Sequence, residues 1–376
     1  MSSDTWNYNS QMNSKRPEFS ISNEQWIIIF LIIPFLLAGC QLQSSTNQMQ
    51  DVARITFPIG ASFPPVATQR DLRFTIKNLQ ALNIDRVRIN GDWFYREPSK
   101  GVYDWEALDL RINTFSENGF LIFLTIPANG PDWACGQSTD QGSCAITDED
   151  GFARFVTALV KRYEGKISKY QFGNEWDNGD WFPGSAVEYT RLNNLVYSIV
   201  HQYSADSSVV LGGLTSAYPV LTTLCENGQP ILFEGMQLKR NVDLEGMIKR
   251  KVCTQESLKS RVEYVLKNAN YDLVDLHLYD VYGYWPLFVS AITSRTDKPL
   301  IVSEFGGPSS EYERYSQAYQ AAQLEKYLMT LQTLPIEEAY HFNLVDNPLT
   351  YHNHSGLFTV LRIKKDAYFV MEKWLN

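Results

Sequence analysis

From Ile55 to the C-terminus, short apolar runs alternate with longer amphipathic stretches, eight of each, and this alternation restricts the chain to a parallel α/β fold. The predicted strands are Ile55–Ser62, Arg86–Asn90, Phe120–Ile126, Ser168–Asn174, Ser208–Leu214, Leu273–Leu278, Leu300–Ser303 and Ala339–Leu344. Helical patterns fill the gaps at Arg70–Leu82, Trp105–Asn118, Asp148–Tyr163, Ala186–Tyr203, Gln255–Asn268, Trp285–Ser294, Glu311–Leu331 and Lys364–Trp374. Eight such units are what a (β/α)8 TIM barrel needs, here as a single catalytic domain over 53–376. One long excursion, Ser216–Thr254, interrupts the rhythm, and its basic run Lys249-Arg250-Lys251 reads as a solvated face.

The first fifty residues read differently. Lys15 and Arg16 precede an apolar run from Trp26 to Gly39, too short to span a bilayer as a stable helix and suited to the core of a signal peptide, with a plain membrane anchor as the alternative. Leu37-Ala38-Gly39-Cys40 resembles the lipobox of bacterial lipoproteins. That resemblance implies cleavage of 1–39, lipidation of Cys40 and a linker over 40–52. The chain is then expected in the bacterial cell envelope, held to a membrane by a lipid anchor. Gln41 after the cysteine favours the outer membrane. Four further cysteines in an exported chain allow two disulfides in three connectivities, and closeness in sequence favours Cys135 with Cys144 and Cys225 with Cys253. A net charge of −9 argues against a nucleic-acid partner. Oligomeric state is not legible.

Two acidic residues close predicted strands: Glu175 ends Tyr170-Gln171-Phe172-Gly173-Asn174-Glu175, and Glu304 lies in Leu300-Ile301-Val302-Ser303-Glu304-Phe305-Gly306. They stand about 130 residues apart, roughly three barrel units, which assigns them to strands four and seven of one barrel mouth. Retaining glycoside hydrolysis needs such a pair about 5–5.5 Å apart, one carboxylic acid to protonate the leaving oxygen and one carboxylate to attack the anomeric carbon. Asn174 is placed to offer its amide to a sugar hydroxyl.

Gly173-Asn174-Glu175-Trp176 and Val302-Ser303-Glu304-Phe305-Gly306 resemble the acid/base and nucleophile motifs of clan A glycoside hydrolases, the retaining (β/α)8 group that includes families 5 and 39. Arg88-Ile89-Asn90-Gly91-Asp92-Trp93, with Glu97 through Trp105 after it, is similar to the second-strand segment of that clan. The resemblance implies that Glu175 is the general acid/base and Glu304 the nucleophile, with Glu175 protonated and Glu304 ionised before reaction. It also implies that Arg88 holds the nucleophile charged, and that Tyr279 of His277-Leu278-Tyr279 hydrogen-bonds it. Alternation along a strand turns His277 to the same side. Strand three ends in Ile126-Pro127-Ala128-Asn129, and strand eight reads Tyr340-His341-Phe342-Asn343 where a sugar-stacking tryptophan is usual in the clan. Asn129, His341 and Asn343 are available to supply those contacts, with core packing the expected role of each.

Trp93, Trp133, Trp176, Trp181 and Trp285 follow strand ends, and together they suggest an aromatic cleft for an oligo- or polysaccharide, although any single one of them reads first as loop packing. His352-Asn353-His354 has the spacing of a two-ligand metal clip without a third ligand, and reads as an exposed loop. The expected function is therefore a retaining glycoside hydrolase on a β-linked carbohydrate, with no cofactor and no metal. A non-catalytic carbohydrate-binding lipoprotein on a decayed barrel is the alternative. A metal-dependent hydrolase has only His277 and His341 to draw on.

Overall fold

The computed structural model describes residues 55–225, 256–309 and 315–376, with side chains over the same ranges apart from those of 224, 225 and 256. Eight parallel strands close into a barrel: β1 (Ile59–Ser62), β2 (Arg86–Asn90), β3 (Leu121–Ile126), β6 (Ile167–Phe172), β7 (Ser208–Leu214), β8 (Leu273–Tyr279), β9 (Leu300–Gly306) and β10 (Ala339–His341). The remaining two, β4 (Cys135–Ser138) and β5 (Cys144–Ile146), form an antiparallel hairpin in the loop after β3. The (β/α)8 expectation thus holds. Cys40, Cys253, the side chain of Cys225 and Lys249-Arg250-Lys251 lie outside the described residues. Among the described residues, no helix is long and apolar enough to cross a membrane.

The helices begin where polar side chains satisfy their first backbone N–H groups. Thr68 with Asp71 and Ser185 with Glu188 form reciprocal capping boxes, and Asp148 accepts from the amide of Gly151. Each helix turns an apolar stripe onto the strands; Phe152, Phe155, Val156 and Leu159 are the buried stripe of Glu149–Arg162. Most of the core lies between strands and helices, while Phe123, Val210, Ile301 and Tyr340 make a separate plug inside the barrel. At the end where the strands begin, buried Glu338 bridges Arg86 at 2.6 Å and Lys169 at 2.9 Å. The plug and this ionic cluster fill the barrel below, which leaves the opposite mouth open for chemistry.

The strand and helix limits differ from the sequence reading at a few ends. β1 starts at Ile59 rather than Ile55, β9 runs on to Gly306, and β10 stops at His341. The helix expected from Glu311 begins at Gln317, where Ser316 caps it by accepting from the amide of Tyr319. The short helix Trp93–Arg96 and the β4–β5 hairpin were not foreseen, because neither carries a hydrophobic period long enough to read. Cys135 and Cys144 form the expected disulfide across that hairpin, with Cα atoms 5.7 Å apart.

Candidate active site

At the C-terminal mouth of the barrel, Glu175, His277 and Glu304 each present a polar atom, and the three atoms lie within 4.8 Å of one another. Glu304 comes from β9, and its local register explains how it reaches the centre. On β8, Asp275 and His277 are two residues apart, whereas their partners on β9, Ile301 and Glu304, are three apart. The extra residue is a bulge, which re-aims side chains that strict alternation would separate. Ser303 and Glu304, neighbours in sequence, consequently both meet the inward face of β8: Ser303 Oγ donates to Asp275 at 2.5 Å, and Glu304 Oε1 lies 3.7 Å from His277.

Glu304 is gripped on both oxygens. Arg88 Nη1 donates to Oε1 at 2.6 Å, and Tyr279 Oη donates to Oε2 at 2.6 Å. Burial by itself pushes the Glu304 carboxyl up; the charges of His277 and Arg88 and the hydrogen bonds from Tyr279 and Arg88 outweigh it and hold the group below its ordinary range. Arg88 is fully buried, and its other nitrogens are also spent: Nε on Thr125 at 3.0 Å, Nη2 on Gln171 at 2.7 Å and on Asn174 at 2.8 Å. Gln171 in turn donates to Asp275 at 2.7 Å. The guanidinium therefore cannot swing away from the carboxylate without breaking a network that spans β2, β3, β6 and β8.

Glu175 is held by different means. It follows β6 on a turn in which Gly173 has φ 76° and Glu175 itself φ 48°, a left-handed conformation that costs a residue with a side chain about 1–2 kcal/mol. The next residue anchors the turn. Trp176 stacks on Tyr189 at 4.5 Å and donates to the Gly212 carbonyl at 2.8 Å, while Arg261 donates to the carbonyls of Trp176, Phe182 and Gly184. Asn174 accepts from Arg88 through Oδ1, which fixes its amide and leaves Nδ2 toward the cavity that Asn174 lines.

His277 joins the two carboxylates. Its Nδ1 lies 2.9 Å from Glu175 Oε1 and its Nε2 3.2 Å from Ser303 Oγ. Burial lowers the imidazole pKa, but Glu304, Glu175 and Asp275 overcome that and push it up to about 9, so the ring is cationic at neutral pH. Room for it comes from β7: a methyl at Gly213 would sit 2.2 Å from His277 Nε2. Although Glu175, His277 and Glu304 have the spacing of a metal site, the buried Arg88 guanidinium sits 2.6 Å from Glu304 Oε1 and sets a permanent positive charge beside it. That electrostatic setting suits anionic carboxylates, not an added cation.

The mouth opens into a cavity of about 680 Å³ lined by Asn174, Glu175, Tyr279 and Glu304 at its floor. Of the five tryptophans expected there, Trp181 alone lines it. The aromatic-cleft expectation is corrected for the other four. Trp93 is fully buried against Phe155 and donates to Glu97 at 2.6 Å; Trp133 packs edge-on to it at 5.6 Å; Trp176 is the anchor of the Glu175 turn; Trp285 is buried against Tyr327. Trp93, Trp176 and Trp285 are fully buried and Trp133 partly so, and their rings serve packing. Asn129 and Asn343 do line the cavity, whereas His341 is buried edge-on to Phe305. The exposed-loop reading of His352 is also corrected: its ring stacks on Tyr279 at 3.5 Å and lines the cavity.

Sequence reasoning missed Gln171, Asp275, Ser303 and Arg261. The first three lie one or two residues from motif members on the same strands, and inward alternation marks Asp275 with His277 and Tyr279. Arg261 carries no local signal, since its role is to cap carbonyls 77 to 85 residues away.

No family model matches the chain. A sequence relative, endo-1,4-β-xylanase 1 of Arabidopsis thaliana, is 23% identical over 164 residues, covering 42% of this chain and 16% of that protein. Among solved structures, the exo-β-1,4-mannosidase of an Opitutaceae bacterium aligns with a TM-score of 0.60 and 14% identity, covering 86% of this chain and 59% of its own. A family 39 glycoside hydrolase from Bacteroides cellulosilyticus aligns at 0.57 and 15%, covering 84% and 63%. The monomeric β-xylosidase of Caulobacter crescentus aligns at 0.58 and 12%, covering 85% and 69%. This chain therefore has the TIM-barrel fold of glycoside hydrolases, and spans under two thirds of the first two structures.

Proposed function

We propose that the chain is a retaining glycoside hydrolase that cleaves a β-linked carbohydrate, with Glu304 as nucleophile and Glu175 as general acid/base. The observation that carries this reading is the approach of their carboxylates to within 4.8 Å across one cavity floor. A retaining pair stands about 5–5.5 Å apart, while an inverting pair needs about 6.5–9.5 Å to admit water between the groups. Arg88 and Tyr279 keep Glu304 anionic and aimed, ready to attack the anomeric carbon. His277 donates to Glu175 Oε1, which leaves Oε2 to carry the proton that the leaving oxygen takes. The bond from Glu304 to the sugar forms as the glycosidic bond breaks. Glu175, now a carboxylate, then takes a proton from water as that water displaces Glu304 and restores the starting configuration. Asn174 Nδ2 is placed to bond a sugar hydroxyl as positive charge builds on the ring.

The substrate class is supported by the likeness in fold and by the Arabidopsis relative, a xylanase; a β-linked oligo- or polysaccharide is the natural extension. Trapping with a panel of activated 2-deoxy-2-fluoro β-glycosides, followed by peptide mass mapping, tests nucleophile and sugar together. The expected result is one added glycosyl mass on the peptide containing Glu304. Label on another residue, or unchanged hydrolysis by Glu304→Ala, would overturn the assignment; binding across the panel with no turnover would favour a carbohydrate-binding protein instead.

The proposal extends to location: Cys40 carries lipid and tethers the barrel to the cell envelope, on the strength of Leu37-Ala38-Gly39-Cys40 and the Gln/Ser/Asn-rich stretch after it. A Cys40→Ser chain should move from the membrane fraction to the soluble one, and a chain that stays with the membrane removes the anchor.

A further inference from the structure

We propose that His352 is a substrate-contacting residue of this site, with its ring fixed face to face on Tyr279 and its Nδ1 accepting a hydroxyl of the sugar bound above Glu304. The inference rests on the glycosidase reading and adds to it a contact from the segment 346–356, which the sequence motifs do not reach.

Three observations carry it. First, the two rings are 3.5 Å apart and tilted by only 4°, and Tyr279 is the residue that donates to Glu304. Stacking fixes the plane of His352, and so the direction of its nitrogens, relative to the nucleophile. Second, Nδ1 of His352 is buried and meets no hydrogen-bond partner among the described residues, although the residue lines the cavity beside Tyr279 and Glu304. Buried polar atoms without partners are costly, and one on a cavity wall is satisfied by whatever the cavity holds. Asn343 Oδ1, on the same cavity and just before the segment 346–356, is likewise buried and unpartnered. Two such acceptors ask for a ligand rich in donors, which hydroxyls supply.

Third, the loop is held in place. Lys365, fully buried, bonds Asp346 at 2.7 Å and the His354 carbonyl at 3.0 Å, and Asp346 also accepts from the Gly356 amide at 2.9 Å. These bonds tie both ends of the segment 346–356, so His352 is presented on a braced loop. Burial also lowers the His352 pKa to about 3. The ring is neutral, and with its proton on Nε2 it offers Nδ1 as an acceptor.

The test compares His352→Phe, which keeps a flat ring on Tyr279 but has no nitrogen, with His352→Ala and the parent chain. The probes are the 4-nitrophenyl β-glycosides of xylose, mannose, glucose and galactose. On whichever glycoside the parent cleaves best, His352→Phe should lower kcat/KM by about ten- to a hundredfold, and the deficit should shrink on the monodeoxy analogue lacking the bonded hydroxyl. Parental kcat/KM in His352→Phe, or a deficit equal across all monodeoxy analogues, would overturn the proposal. A second readout does not need turnover: the ¹⁵N resonance of His352 Nδ1, followed as xylose, mannose, glucose and galactose are added. A change with one sugar supports the contact even if no glycoside is hydrolysed, an outcome that would sink the hydrolase reading alone. No change with any sugar removes His352 from the site.

Discussion

The two carboxylates of the site are immobilised in opposite ways. Glu304 stands within a strand, 8% exposed, with two cationic side chains and a phenol fixing its charge. Glu175 stands on a strained turn, 21% exposed, held by the ring of Trp176 and by Arg261 on the carbonyls behind it, with His277 as its nearest polar partner. The difference matches the two roles proposed for them. A nucleophile has to be anionic and aimed before substrate arrives, so electrostatic preorganisation serves it. An acid/base has to gain and lose a proton in each turnover, and Glu175 accordingly meets the titratable ring of His277 where Glu304 meets the permanent charge of Arg88.

The sharpest way to break this contrast is Glu175→Ala. If Glu175 acts only through its proton, the first step should slow by about 10²–10⁴-fold for an unactivated disaccharide but far less for a 2,4-dinitrophenyl glycoside, whose leaving group departs without protonation. With that activated substrate the second step becomes limiting, and added azide should restore turnover and yield the β-glycosyl azide. Steady-state and pre-steady-state rates across a leaving-group series measure both effects. An equal loss for every leaving group would mean that Glu175 positions rather than protonates, and the distinction between the two carboxylates would collapse.

How far the sequence foretold this arrangement depends on the distance over which each feature is encoded. The barrel was legible because strand and helix periods repeat eight times, and the site because two carboxylates, not one, end apolar runs about three barrel units apart. Arg88, Tyr279 and His277 followed from short motifs on the strands that carry them. The tryptophans misled, since a ring after a strand end suits a sugar face and a helix interface equally; only tertiary packing sends Trp176 under the Glu175 turn and Trp181 into the cavity. His352 was read as an exposed loop because nothing local to 346–356 reveals the buried Lys365–Asp346 pair that draws the loop inward. The bulge in β9 is equally silent in sequence, being a property of how two strands align.

A smaller effect sharpens the comparison from the other side. His277 lies 2.9 Å from Glu175 and 3.7 Å from Glu304, and its charge is the foremost of the influences that hold the Glu304 carboxyl down, on a ring that stays protonated up to about pH 9. Replacing it by Gln removes a cation while Arg88 and Tyr279 remain. The Glu304 carboxyl should then titrate at higher pH, carrying the acid limb of the kcat/KM profile with it and lowering the rate at neutral pH by about ten- to a hundredfold. Stability gives an independent reading with a definite sign. Since the folded pKa of His277, about 9, lies above its ordinary 6.5, its contribution is whole below pH 6.5 and is lost as pH rises through 9. Denaturant midpoints of the parent chain should fall across that window, and those of His277→Gln should fall less. If the acid limb stays put while only the stability slope changes, His277 is a structural tie between β8 and the Glu175 turn, and Arg88 with Tyr279 suffices to hold the nucleophile ionised.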